Sequence, residues 1–230
     1  VESTSKYVSG HAWDVVPDEA RSTRSQLIVT GARGWTQLSW LRLGRTADRI
    51  LRSAPVPVIT VPLGTAPKPI ERALIAVDFS QCSDAAASVT RRLAAGQDTP
   101  PAYVLVHAWQ PLVDYELGPV GGIPTVIDDG GTAAEQQLES MAAGLRESGL
   151  GTVEARVRQG YPAVVIEREA ESMAADLVAL GTHGHSGLAH LLLGSVAERV
   201  VHRATAPVLT VGMPAVERAQ GAQSRSAAAR

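Results

Sequence analysis

The chain has 230 residues, of which 45% are apolar and 19% charged, with a formal net charge of -2. That is too apolar for wholesale disorder or a fibrous repeat, and without a basic excess it carries no electrostatic footprint for nucleic acid. Aromatic residues make up only 4%, so the core must be built from Ala, Val, Leu and Ile, the mix of buried parallel strands and packed helices.

In chain order the first feature is one copy of an internal repeat. Gly10 to Pro62 aligns without a gap to Gly160 to Gly212, and about nineteen of the aligned pairs are identical. They include Gly31 with Gly181, Gly34 with Gly184, Gly44 with Gly194, Arg49 with Arg199, and PVIT at 57–60 with PVLT at 207–210. Val1 corresponds to Gly151, so the opening strands and helix of the first unit are expected upstream of this sequence. The organisation predicted is the C-terminal part of a first domain at 1–62, a linker at 63–72, a complete domain at 73–212 and a disordered tail at 213–230.

Within the complete copy, Leu74 to Val77 is a continuous apolar run, and Ala85 to Ala95 reads as a helix closed by Gly96. Tyr103 to Ala108 is a second strand, followed by a loop rich in Gly and Pro at 110–131. Thr132 and Glu135 form a capping box, after which Ala134, Leu138, Met141 and Leu145 line one helical face. Val153 to Val157 is a strand. Pro162 suits a first helical turn, with Val165, Glu169 and Met173 continuing that helix. Leu177 to Leu180 is a strand, a helix runs from Ser195 to about Ala204, and Ala206 to Val211 is the last strand. Short apolar strands alternating with helices imply α/β architecture: a doubly wound, Rossmann-like parallel sheet.

In such a sheet, ligands bind beyond the carboxyl ends of the strands. Asp78-Phe79-Ser80, His107-Ala108-Trp109 and the segment from Gly181 to Ser195 collect there. The last reads G-x2-G-x9-G-S, formed by Gly181, Gly184, Gly194 and Ser195. Glycines let backbone N–H groups approach an anion, and a helix opening at Gly194-Ser195 presents free N–H groups and a favourable dipole to phosphate. A second reading stands beside it: Ser195 and Glu198 fit an S-x-x-E capping box, and Gly181 and Gly184 suit a tight turn. Asp78 either caps the helix near Ser83 or meets a ligand donor. His107, among apolar strand residues, reads as a satisfied core histidine. His183, His185 and His190 lack metal-site spacing, and no catalytic constellation or P-loop is present.

Cys82 is the only cysteine, which excludes an intrachain disulfide and fits a reducing compartment. No apolar run approaches the roughly 18 residues that cross a bilayer, and VESTSKY lacks a signal-peptide pattern. A cytoplasmic protein with no membrane partner is expected.

Taken together, these residues resemble the universal stress protein family, specifically its ATP-binding branch, over almost the whole chain. The glycine motif, Val77-Asp78-Phe79-Ser80 (V-D-x-S), Leu105 to Ala108 (L-x-H-[VA]) and Gly160-Tyr161-Pro162 (G-x-P) carry the resemblance. It implies a five-stranded sheet of order 3-2-1-4-5 and bound ATP, or ADP or AMP, with or without magnesium. Asp78 and the Ala108 backbone would meet the adenosine. Gly181, His183 and Gly184 would line the ribose and phosphates, and Gly194, Ser195 and Val196 would hold the phosphate tail. Pairing as a homodimer or pseudo-dimer would run through the last strand, Ala206 to Val211, with Val58 to Val61 against it.

The first copy departs from the pattern: Arg45 replaces the Ser or Thr, and Trp35 and Trp40 stand where His185 and His190 do. ATP is not expected there, although Arg45 suits a phosphate in an intact domain. Missing its central strands, this copy is expected to be partly disordered or to pair with another chain. The function implied is a nucleotide-dependent stress regulator with an unidentified protein partner and little or no ATPase activity. The alternatives are a slow ATP hydrolase or nucleotidyl-transfer enzyme using Asp78 and magnesium, and a pairing module that binds no nucleotide.

Overall fold

The structure is a computed structural model that describes residues 2–33, 43–110, 113–114, 125–126, 130–182 and 193–228. In chain order the elements are α1 (Ala12–Ser22), β1 (Ile28–Gly31), α2 (Arg45–Ser53), β2 (Val58–Val61), β3 (Arg72–Ala76), α3 (Gln81–Ala94) and β4 (Ala102–Trp109). There follow the two-residue strands β5 (Val113–Asp114) and β6 (Thr125–Val126), then α4 (Gly130–Glu147), β7 (Val153–Gln159), α5 (Pro162–Ser172), β8 (Leu177–Gly181), α6 (Ser195–Arg203), β9 (Val208–Val211) and α7 (Met213–Ala228).

Seven strands form one sheet in the order β1-β2-β9-β8-β3-β4-β7. The pairings among β3, β4, β7, β8 and β9 are all parallel. Counting β3 as the first strand of the second copy, its order is the expected 3-2-1-4-5. The strands read as continuous apolar runs because both faces are covered: Ala73, Leu74 and Ile75 in β3 are each 0% exposed. Leu74 and Ala76 point into a cluster shared with α1, α2, α5 and α6. Ala73 and Ile75 point the other way, into a cluster shared with α3, α4 and α7.

The two copies meet where β2 runs antiparallel to β9, with Val58 opposite Thr210 and Thr60 opposite Val208. These four residues are two pairs of repeat equivalents, and their contacts are reciprocal. The Thr60 hydroxyl donates to Val208 O, and the Thr210 hydroxyl donates to Val58 O, both at 3.3 Å. The seam therefore has the self-complementary form of a two-fold interface.

A buried carboxylate fastens the segment ahead of β3. Asp176 Oδ2 accepts from the N–H groups of Glu71 (3.0 Å) and Arg72 (2.9 Å), and Oδ1 pairs with Lys68. At the far edge, β7 is guarded by charge. Arg156 meets Glu154 at 2.7 Å and Glu169 at 2.8 Å, and Arg158 meets Glu169 at 2.6 Å. Such charges blunt an edge that would otherwise template further strands.

Three elements differ from expectation. Helix α3 begins at Gln81, ahead of Ala85, because Ser80 is its N-cap and accepts from Ser83 N. Helix α4 begins at Gly130, which places Thr132 inside the helix and not at its cap. Its first turn packs so closely on Trp109 that a Cβ on Gly131 would lie 3.1 Å from the indole. The tail expected to be disordered instead carries α7: Pro214 suits a first turn, and Ala215 and Val216, 7% and 5% exposed, pack into the α3 cluster. Tertiary burial decides where local composition is silent. Among the described residues no helix is long and apolar enough to cross a membrane.

Candidate functional site

The carboxyl ends of β3, β4 and β8 lie side by side, and the chain leaves each of them differently. After β3, Val77 N donates to Val106 O at 2.8 Å and the backbone turns sharply, with Phe79 at φ +60°. The turn is held by Asp78, whose Oδ1 accepts from Ser80 N at 3.1 Å and from Ser80 Oγ at 2.6 Å. Asp78 therefore orders the cap and is not the cap itself. Its neighbour Asp84, in the first turn of α3, has its carboxyl pushed up by burial and further by the charge of Asp78.

At the end of β4, His107 Nδ1 lies 2.8 Å from Val77 O, and its ring lies tilted against Phe79 with the ring centroids 4.7 Å apart. A carbonyl can only accept, so Nδ1 carries the proton. This is the satisfied histidine of the sequence reading. Ala108 follows in the same strand opposite Arg158, and Trp109 O accepts from Gly160 N at 3.0 Å.

After β8 the geometry is set by two glycines whose side-chain space is already taken. A Cβ on Gly181 would stand 2.7 Å from Cys82 Cβ and 3.0 Å from Ser83 N. The N-terminus of α3 is packed directly on the strand end. A Cβ on Gly194 would stand 2.7 Å from Thr182 O, to which Gly194 N donates at 2.8 Å. That bond seats the start of α6 on the end of β8. The first copy repeats the device, with Gly44 N donating to Ala32 O at 2.7 Å.

Gly194, not Ser195, is the N-cap of α6: its carbonyl accepts from Glu198 N at 2.9 Å, and there is no side-chain cap. Ser195 is the first helical residue, and it is exposed. The S-x-x-E capping box is not formed, because Ser195 lies inside the helix and not at its cap, and Glu198 is turned to another partner. Its Oε2 meets Arg52 of α2 at 3.4 Å, and Arg52 also pairs with Asp48 at 3.0 Å. The first turn of α6 thus presents the N–H groups of a helix start, lacking intrahelical partners, beside a hydroxyl that has no hydrogen-bond partner among the described residues.

The model of the Universal stress protein family matches residues 1–62 and 69–212. The chain belongs to the universal stress protein family. It is 33% identical over 205 residues to a universal stress protein of Mycolicibacterium smegmatis, covering 83% of this chain and 63% of that protein. To the universal stress protein Slr1230 of Synechocystis it is 31% identical over 185 residues, covering 80% of this chain and 57% of that protein. The chain therefore spans less than two thirds of these relatives. Among solved structures, a universal stress protein from Archaeoglobus fulgidus superposes with a TM-score of 0.65 at 20% identity, covering 87% of this chain and 66% of the other. That likeness shows the fold.

Asp78, Ala108, Gly181, Gly194, Ser195 and Val196 all lie at the carboxyl ends of the strands or on the helix start that follows them. His183 and Gly184 lie outside the described residues, as do His185, His190, Gly34, Trp35 and Trp40. The sequence reading placed Ser80 at the site without its capping role, and it missed Thr182 and Asp84. Ser80 carried a signal, since a serine three residues ahead of a helical residue is a cap. Thr182 carried none, because its part is played by a backbone carbonyl.

Proposed function

We propose that the crevice at the carboxyl ends of β3, β4 and β8 binds an adenine nucleotide, ATP above all. The protein then acts as a nucleotide-dependent stress regulator that reports occupancy to a protein partner. The observation that carries this reading is the start of α6. Gly194 is seated on Thr182 O by a 2.8 Å hydrogen bond with no room for a side chain, and Ser195 is left without a capping role. A helix start held rigidly, with free N–H groups and a hydroxyl, suits phosphate oxygens.

In this reading Ser195, Val196 and Gly194 hold the phosphate tail, and Gly181, His183 and Gly184 line the ribose and phosphates. Asp78 and the Ala108 backbone meet the adenosine. Asp78 Oδ1 is occupied by Ser80, which leaves Oδ2 to accept from a ribose hydroxyl or the base. The role of this chain is to bind and orient; a magnesium ion, if the nucleotide carries one, would neutralise phosphate charge. The β2–β9 seam serves as the pseudo-dimer contact within the chain.

The test is equilibrium dialysis of ATP against wild type and Ser195→Glu, with and without EDTA. A carboxylate at the first helical position favours the helix dipole and so leaves folding intact, yet it repels phosphate. Saturable binding by wild type, weakened at least tenfold in Ser195→Glu at unchanged melting temperature, is expected. Equal binding by both proteins, or none by wild type, overturns the assignment.

A further inference from the structure

The repeat places an acidic residue at the same point of two helices, Asp48 in the first turn of α2 and Glu198 in the first turn of α6. The residues one turn further on, Arg52 and His202, are also equivalents but differ in charge. Arg52 Nε lies 3.1 Å from both carboxylate oxygens of Asp48, and across the seam Arg52 Nη2 meets Glu198 Oε2 at 3.4 Å. The reciprocal contact is not made. Among the described residues Asp48 pairs with Arg52 alone, and an imidazole is not permanently charged as a guanidinium is. The seam is two-fold in its backbone and one-sided in its charge.

The side that receives the arginine is the side of the crevice. Glu198 N donates to Gly194 O at 2.9 Å, which sets this acid within one turn of the helix start. A carboxylate in the first turn is drawn to the same N–H groups and dipole that favour a bound anion, and it repels that anion. Across one helical turn, about 5.4 Å, a unit charge alters the affinity for another by about fourfold even in water. Arg52 opposes this repulsion from the other copy. It is also packed against the seat of α6. With Thr182, whose carbonyl holds Gly194, and Leu193, which precedes Gly194, it lines a void of about 10 Å³, room for about one water. The first copy carries a cation within its own motif, Arg45 in the place of Ser195.

We propose that Arg52 of the first copy is a positioning residue for the nucleotide site of the second. By holding and neutralising Glu198 across the seam, it keeps the start of α6 receptive to phosphate. This inference rests on the nucleotide reading above. Every group that would touch nucleotide belongs to the second copy, yet the charge of the site is completed by the first. A change at the seam that withdraws Arg52 lowers affinity most for the most highly charged nucleotide.

The experiment is equilibrium dialysis of ATP, AMP and adenosine against wild type, Arg52→Met, Arg52→Lys and the double variant Arg52→Met/Glu198→Gln. An ion pair this exposed contributes little to folding, so all four proteins remain folded, which melting curves check. At low salt Arg52→Met should bind ATP about three- to tenfold more weakly than wild type, AMP should lose less, and adenosine should change by less than about twofold. In about 0.5 M NaCl the loss of ATP binding should shrink to below about twofold. Arg52→Lys keeps the charge and the double variant removes both charges, so each should bind ATP within about twofold of wild type. Undiminished ATP binding by Arg52→Met, an equal loss of adenosine, or a loss that persists in Arg52→Lys or in the double variant would overturn the proposal and leave the nucleotide reading standing. A wild type that binds neither ATP nor adenosine would overturn both.

Discussion

Substituting Gly194 by alanine tests how the start of α6 is held. The added Cβ would stand 2.7 Å from Thr182 O, while Gly194 N must remain within 2.8 Å of the same oxygen to keep its bond. Both cannot hold, and because the clashing atom is backbone, no side chain can swing aside. The helix must retreat by several tenths of an ångström and stretch the hydrogen bond. Overpacking of this kind costs about 1–3 kcal/mol. Alanine offers no compensating helix propensity, since at an N-cap it is worse than glycine. At roughly 2–4 °C per kcal/mol for a chain of this size, the melting temperature should fall by about 2–12 °C. Ser195→Ala is the matched control. If Ser195 were the cap it would cost about 1 kcal/mol; as an exposed first helical residue it should change stability by less than about 0.5 kcal/mol. Urea unfolding followed by circular dichroism measures both. A Gly194→Ala protein as stable as wild type, or a Ser195→Ala protein a full kcal/mol weaker, would refute the reasoning. A consequence is that Gly194→Ala cannot serve as a clean binding variant, because it moves the helix as well as the site.

Other predictions rest on separate contacts. Burial pushes the Asp176 carboxyl up, but the hydrogen bond from Lys68 and those from the Arg72 and Glu71 N–H groups outweigh it and hold it below the ordinary aspartate range. Its folded value being the lower one, its contribution is complete above the unfolded value of about 3.9 and is lost as pH falls further. Asp176→Ala should cost about 2–3 kcal/mol at pH 7, and the deficit should shrink in unfolding experiments taken down to pH 3; a deficit independent of pH contradicts this. Leu209, 0% exposed in β9, should cost about 2–5 kcal/mol as alanine, and a cost below 1 kcal/mol in chemical denaturation argues against a buried seam strand. Arg52 and Glu198 are 28% and 47% exposed, so a double-mutant cycle should yield only about 0.2–1 kcal/mol of coupling. A coupling above 2 kcal/mol would mean the link between the copies is stronger than its geometry allows.

Much of the fold was legible because two kinds of pattern are redundant. The strands of the second copy are apolar runs bounded by Gly and Pro, and the repeat places Val58 and Val208 in equivalent positions before any coordinates are known. What was not legible depends on partners distant in sequence. S-x-x-E at Ser195 and Glu198 describes a capping box or an ordinary first turn equally well; Arg52, on the other copy's helix, engages Glu198 and is invisible to a local motif. Gly181 and Gly194 invite a phosphate reading from sequence, yet each is also required by a contact, with Cys82 and with Thr182 O. Helix α7 escaped because Ala215 and Val216 are too short an apolar signal, and only the α3 face that receives them orders the segment.

The measurement that bears most directly on the nucleotide assignment is the nucleotide content of the purified protein. Wild type and Ser195→Glu are denatured, the supernatants resolved for ATP, ADP and AMP, and ATP then added back to fresh samples of each. Near-stoichiometric adenine nucleotide in wild type, or saturable uptake on addition, with neither in a folded Ser195→Glu protein, is the predicted result. A wild-type protein that carries no nucleotide and takes up none would contradict the account and leave a pairing module with an idle glycine loop.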